Sequence, residues 1–85
     1  MAQSRGRDAD RSTDRPYRFF FFSSDKYEPP HVHVEREVKR AKFWLEPIEV
    51  ETNDGFGARE LGRVRGIVEE HREGLLRAWH DFFSD

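Results

Sequence analysis

Two histidines, His31 and His33, are the residues whose spacing points most directly to chemistry. They alternate with valines in the segment HVHVER, so on a strand both imidazoles project to one side, about 6.5–7 Å apart at the backbone. Two imidazoles at that spacing can bind one zinc or another divalent ion, with Asp25, Glu28 or Glu35 supplying oxygen ligands. The pair therefore makes a divalent metal such as zinc the candidate cofactor.

The same residues have two further interpretations. Histidine titrates near neutral pH, so His31 and His33 are also candidate catalytic acid–base groups, with Asp25 and Glu28 as neighbouring carboxylates. Alternatively, both histidines are structural and stabilise the turn at Pro29–Pro30 through hydrogen bonds to nearby backbone. The sequence leaves these three interpretations open.

Trp44 indicates a binding surface. In the segment AKFWL it alternates with Phe43, so the two rings lie on opposite faces of a strand. If a helix covers the Phe43 face, Trp44 shares the other face with three residues of the preceding strand, namely His31, His33 and Glu35. Tryptophan is over-represented among binding hot spots, so this surface is a candidate interface. The alternative is that Trp44 packs beneath a loop or the N-terminal segment.

Composition excludes several functional classes. The 85 residues contain no cysteine, no glycine-rich phosphate loop and no Gly-x-Ser-x-Gly nucleophile elbow. The net charge of -2 is distributed as +1 over residues 1–15, zero over 16–50 and -3 over 51–85, so no concentrated positive field favours nucleic acid. No apolar run approaches the roughly 18 residues of a membrane span, and the N-terminal residues lack a signal-peptide pattern. We therefore expect a cytoplasmic protein that does not bind membranes.

Period-two patterns predict a small sheet of three to four strands. The predicted strands are 17–22, 31–36, 41–45 and 48–51. In the last of them, Ile48 and Val50 should face the core. Residues 1–15 carry almost no apolar side chains, so a disordered tail is expected there, followed by a single domain over residues 16–85.

One long helix is predicted from Ala58 to Phe83. Its apolar residues recur at helical spacing and form one stripe, with His71 filling a gap and expected to be partly buried. The stripe comprises Leu61, Val64, Val68, Leu75, Trp79 and Phe82. The expected fold class is therefore α+β, a small and mostly antiparallel sheet covered on one face by a long C-terminal helix.

Three segments occur together in a recognisable pattern. They are EPPHVHV at residues 28–34, AKFWLEP at residues 41–47 and a tryptophan-containing helical turn at residues 75–79. With them, the chain from about Tyr17 onward resembles a small bacterial family of domains of unknown function. Genes for such proteins often lie beside those of a second small family, so the resemblance implies a paired, toxin–antitoxin-like module. It implies no activity and no catalytic residue.

The sequence thus predicts a protein-interaction or regulatory module of such a gene pair. Its partner would be a small protein encoded nearby, or a second copy of the chain. The alternative is a metal-dependent or histidine-dependent hydrolase, for example a ribonuclease, centred on His31 and His33. Nucleic-acid binding ranks third because the charge distribution disfavours it.

Overall fold

The chain folds into one antiparallel sheet followed by two helices. The computed structural model describes residues 9–14 and 16–84. Within these residues the strands lie in the order in which they occur along the chain, each antiparallel to its neighbours. The elements are β1 (Ala9–Asp14), β2 (Tyr17–Phe21), a 3-10 turn (Ser23–Tyr27), β3 (His31–Arg36), β4 (Lys39–Leu45), β5 (Ile48–Asp54), α1 (Ala58–Glu70) and α2 (Arg72–Phe83). This arrangement confirms the predicted α+β class.

Strand β1 lies in the segment that the sequence analysis assigned to a disordered tail. It pairs antiparallel with β2 and brings the described sheet to five strands, where three or four were expected. Pairing of this kind satisfies backbone N–H and C=O groups and does not depend on apolar side chains, so composition gave no sign of it. Residues 1–8 and 15 of the predicted tail lie outside the described residues, and the domain boundary at residue 16 stays a prediction.

Side chains alternate between the two faces of β3 and β4, and one of these faces packs against the helices. The register pairs Val32 with Phe43, and both side chains are fully buried. The buried helical residues that pack against this face are Val64, Val68, Leu75 and Trp79. Burial of each such large apolar side chain contributes about 1.5–3 kcal/mol to folding. The same register pairs His31 with Trp44 on the opposite side of the two strands.

The helical segment is divided at His71 and does not run unbroken from Ala58 to Phe83. His71 has φ -103° and ψ 14°. Its side chain is exposed, so the predicted partial burial of His71 is wrong. α1 lies against β5, and α2 contacts β1 and β3. Over the described residues, neither helix combines the length and apolarity needed to cross a membrane.

Strand β5 forms one edge of the sheet and is the most exposed strand whose side chains are described. Ile48 packs partly against the core, and Val50 lies opposite buried Phe43 on the same face, as predicted, but is 37% exposed at this edge. The pairing of β4 with β5 shifts register next to Phe43, the partner of Val50, at this outer edge. The remaining residues of β5 include three acidic side chains, Glu49, Glu51 and Asp54, all exposed.

Glu60 in the first turn of α1 joins the helix to the sheet. The Tyr17 hydroxyl donates to Glu60 Oε2 at 2.9 Å, and Lys39 Nζ donates to Oε1 at 3.1 Å. The Arg36 guanidinium also donates to Oε2. Hydrogen bonds from Arg36, Lys39 and Tyr17 lower the pKa of Glu60 from 4.5 to about 2. The ionised carboxylate is therefore the form that the fold stabilises.

This depressed pKa makes stability depend on pH. The contribution of Glu60 is fully present above its ordinary pKa near 4.5 and is lost as the pH falls toward about 2. We expect Glu60→Gln to lower the urea midpoint of unfolding at pH 7. At pH 3 the midpoints of the variant and of the wild type should lie closer together. Glu69→Gln, which removes an exposed pair with Arg65, is the matched control. An equal loss for Glu60→Gln at both pH values would contradict this assignment.

Candidate functional site

The loop between β2 and β3 is held by Asp25. The Phe22 backbone N–H donates to Asp25 Oδ2 at 2.8 Å, and the Glu28 backbone N–H donates to the Asp25 carbonyl at 3.0 Å. Asp25 is only 7% exposed, whereas the other residues of the 3-10 turn are exposed. Aspartate accepts backbone hydrogen bonds readily at such turns. Its side chain is therefore directed inward, beneath the loop.

Asp25 meets both histidines of the His-x-His segment. His31 Nε2 and His33 Nε2 each lie 3.0 Å from Asp25 Oδ2. The two imidazoles are 5.0 Å apart between ring centroids and nearly perpendicular, at 88°. The structure thus brings together three of the four candidate catalytic residues, and Glu28 is the fourth.

The environment of His31 differs from the open sheet face that the sequence suggested. Its side chain is fully buried, and its ring lies 4.9 Å from the ring of Trp79 in α2 and 5.5 Å from that of Trp44. Nδ1 lies 3.0 Å from the Pro29 carbonyl oxygen, which can only accept a hydrogen bond, so Nδ1 carries the proton. Helix α2 extends past the start of β3, and for this reason His31 contributes no exposed surface.

His33 is buried less completely, with 12% of its side chain exposed. Its ring stacks on Phe20 at 5.5 Å and meets Phe22 edge-on at 4.6 Å. Burial lowers the pKa of His33 below 6.5, and the Asp25 carboxylate only partly opposes this effect. His33 is therefore neutral at physiological pH.

The other predicted oxygen ligands do not join the cluster. Glu28 Oε1 accepts a hydrogen bond from Lys42 at 2.6 Å and lies 3.7 Å from His31 Nδ1, on the side of the ring away from Asp25. Glu35 accepts a hydrogen bond from Arg40 at 3.0 Å and lies 3.7 Å from the Arg18 guanidinium. Among the described residues, the one group of three or more His, Cys, Asp or Glu side chains spaced for a metal is Asp25, His31 and His33.

Trp44 lies beside this cluster, half-buried. Lys42 Nζ sits 4.7 Å from the centroid of its ring, in a cation–π contact. Because Lys42 also pairs with Glu28, the outer face of β4 is connected to the loop before β3. Of the predicted binding residues, His33, Glu35 and Trp44 thus retain some exposure, and His31 does not.

Two contacts of the site were missed at the sequence level. Trp79 was placed in the helix stripe, but its packing on His31 depends on the path of α2 past the end of the sheet. Lys42 was not among the predicted site residues, although it pairs with Glu28. The alternation of Lys42 and Trp44 was the one signal for this contact, since it places both side chains on the face that carries His31 and His33.

These features define an α+β domain with a buried aspartate–histidine cluster at one end of its sheet. The chain belongs to the family described as Domain of unknown function (DUF4160), whose model matches residues 17–80. This confirms the predicted membership in a domain-of-unknown-function family. No curated protein and no solved structure matches the chain.

Proposed function

We propose that the protein is an interaction module of a toxin–antitoxin-like gene pair and binds a small protein partner. The binding surface, here called the loop patch, consists of Tyr27, Glu28, Lys42 and Trp44. The observation that carries the proposal is the exposure of Tyr27, which is 87% accessible at the end of the 3-10 turn. Tyrosine and tryptophan are enriched among the residues that anchor protein interfaces.

The loop that carries Tyr27 is fixed before any partner arrives. Asp25 accepts the Phe22 N–H and contacts both histidines beneath the loop, and Pro29 and Pro30 restrict the backbone that follows. Binding therefore does not require the whole loop to be ordered, which lowers the entropic cost of association. Tyrosine in such a position is typical of a binding hot spot.

The rest of the loop patch supplies both apolar and charged groups. Glu28 follows Tyr27 in the chain and pairs with Lys42, which in turn lies over the Trp44 ring. Two aromatic rings linked by one ion pair suit a protein surface that offers an apolar side chain ringed by polar groups. The family resemblance makes the product of the adjacent gene the first partner to test.

We expect the double variant Tyr27→Ala, Trp44→Ala to lose most of its affinity for the neighbouring gene product, about 30-fold or more. Each lost hot-spot ring typically costs 1–2 kcal/mol or more of binding free energy. Affinity is measured by calorimetry with the purified pair. Val38→Ala is the matched control, because Val38 is 92% exposed but lies in the turn at the opposite end of β3.

Three results would count against the proposal. They are a lack of association between the wild-type chain and the neighbouring product, wild-type affinity in the double variant, and an equal loss of affinity in Val38→Ala. Light scattering of the chain alone tests self-association through the same rings. A dimer that the double variant dissociates would assign the loop patch to a second copy instead of a different protein.

A histidine-dependent hydrolase is the second candidate, and the convergence of Asp25 with two imidazoles favours it. An aspartate that contacts a histidine can orient the ring for proton transfer. However, the side chains of Asp25 and His33 are 10% and 12% exposed, and His31 is sealed. A substrate would have to displace the loop over residues 23–30 to reach either ring.

This second function has a direct test. If it operates, wild-type protein should cleave single-stranded RNA and His33→Ala should lose at least about 100-fold in rate, as expected for removal of a general acid or base. The rate is measured with a fluorescent oligonucleotide, with and without added zinc, and His80→Ala serves as control. Equal inertness of all the proteins would eliminate the hydrolase.

A further inference from the structure

The ring nitrogen Nε2 of His31 is buried and has no hydrogen-bond partner among the described residues. Asp25 Oδ2 lies only 3.0 Å away, but in a direction that does not make a hydrogen bond. Because Nδ1 donates to the Pro29 carbonyl, Nε2 is the ring atom that faces the Asp25 carboxylate oxygen. An unpartnered buried ring nitrogen this close to a carboxylate oxygen is an arrangement that a bound cation would satisfy.

We propose that Asp25, His31 and His33 form a binding site for a zinc-type divalent cation. The ligands are Nε2 of each imidazole and one carboxylate oxygen of Asp25. Two nitrogens and one oxygen suit zinc and related transition ions, and three protein ligands leave a fourth position for water or an incoming group.

Distances within the cluster fit such an ion. The candidate ligand atoms all lie within 4.8 Å of one another, and each Nε2 is 3.0 Å from Asp25 Oδ2. Zinc bonds of about 2.0–2.1 Å in a tetrahedral site place ligand atoms about 3.3 Å apart. Small shifts of the side chains therefore suffice. The perpendicular rings approach the cluster from different directions, as ligands of a tetrahedral ion do.

Charge supports the same conclusion. A buried carboxylate needs compensation, and the Phe22 N–H supplies one hydrogen bond to Asp25. In the metal-free protein His33 Nε2 donates to Asp25, so zinc binding at Nε2 requires the single ring proton to move from Nε2 to Nδ1. The nearest other charges are Lys42, paired with Glu28, and Glu28 itself.

The groups around the ligands orient them. The Pro29 carbonyl accepts from His31 Nδ1, an outer contact that metal-binding histidines almost always make. Trp79 packs against the ring of His31, and Phe20 stacks on that of His33. Both imidazoles are thus held in position by the fold before an ion enters.

The test is titration of the full-length, metal-free protein with zinc by calorimetry and with cobalt by visible absorption. We expect one ion per chain, a higher melting temperature with zinc, and cobalt d–d bands of the intensity that four- or five-coordinate sites give. His33→Gln and Asp25→Asn should each weaken zinc binding more than 100-fold, because loss of an outer-shell partner alone costs about 10- to 100-fold. His80→Gln, at an exposed position of α2, should bind like wild type.

Circular dichroism of each metal-free variant separates loss of a ligand from loss of the fold. If one of the two substitutions unfolds the chain, the zinc affinity of the other variant and the cobalt spectrum of the wild type test the site. Failure of wild type to bind zinc up to millimolar concentration would overturn the site. So would a zinc affinity unchanged in folded His33→Gln and Asp25→Asn, or a cobalt spectrum of six oxygen ligands. Partner binding does not enter these measurements, so they are independent of the proposed function.

Discussion

Replacing Trp79 with alanine is expected to destabilise the protein by about 3–5 kcal/mol, the usual cost of removing a large aromatic ring from a core. Trp79 is 5% exposed, and its ring lies 4.4 Å from that of Phe83, 4.9 Å from that of His31 and 5.4 Å from that of Phe21. A domain of this size is stable by only about 4–13 kcal/mol. A large share of that stability thus depends on one side chain, as urea denaturation followed by circular dichroism should show.

Two variants calibrate this result. Trp79→Phe keeps a ring in the same space and should recover a substantial part of the loss. Trp44→Ala removes a half-buried tryptophan and should cost clearly less than Trp79→Ala. If Trp44→Ala were as damaging, or Trp79→Ala harmless, the packing of α2 over the end of the sheet would be incorrect.

Asp25→Ala is expected to cost about 2–4 kcal/mol in metal-free protein. The change leaves the Phe22 N–H and the His33 ring without their acceptor, and each buried unpaired group costs about 1–3 kcal/mol. The loop over residues 23–30 should also lose its fixed conformation. Denaturation with a chelator present gives the stability, and amide exchange at Glu28, whose N–H bonds the Asp25 carbonyl, reports on the loop.

Asp81→Ala provides the comparison, since Asp81 is an exposed aspartate of α2. It should change stability by less than about 0.5 kcal/mol, as surface substitutions usually do. Asp25→Asn should fall between the two, because an amide oxygen can still accept one hydrogen bond. Unchanged exchange at Glu28 in Asp25→Ala would show that the loop is held by other contacts.

The part of the fold that follows from local pattern could be read from the sequence. Alternation in HVHVER and AKFWL fixed the two central strands and the faces on which Val32, Phe43 and Trp44 lie, because side-chain direction in a strand depends only on position. The helical stripe likewise identified Val64, Val68, Leu75 and Trp79 as core residues, and all four are buried.

The features that local pattern missed concern how the helices and strands pack against one another. The apolar stripe runs on through position 71, so it gave no sign that the helix divides at His71. Val50 lies on the predicted face, and its 37% exposure follows from its place on an edge strand. The burial of His31 depends on the position of Trp79 in α2, whose ring packs against it.

The candidate site was predictable in membership but not in arrangement. His31, His33, Asp25 and Glu28 were all candidates, because histidines and nearby carboxylates can be counted along the chain. Which carboxylate turns inward depends on the hydrogen bond from the Phe22 backbone to Asp25 and on the attraction of Lys42 for Glu28. Both depend on the path of the loop in three dimensions.

The acidic side chains of β5 have a consequence for behaviour in concentrated solution. An open strand is a template on which another molecule can add its own strand, and like charges along it oppose that growth. Strand addition at the β5 edge is therefore opposed by the negative charges of Glu49, Glu51 and Asp54. Removal of these charges should therefore favour strand-to-strand association of folded molecules at β5.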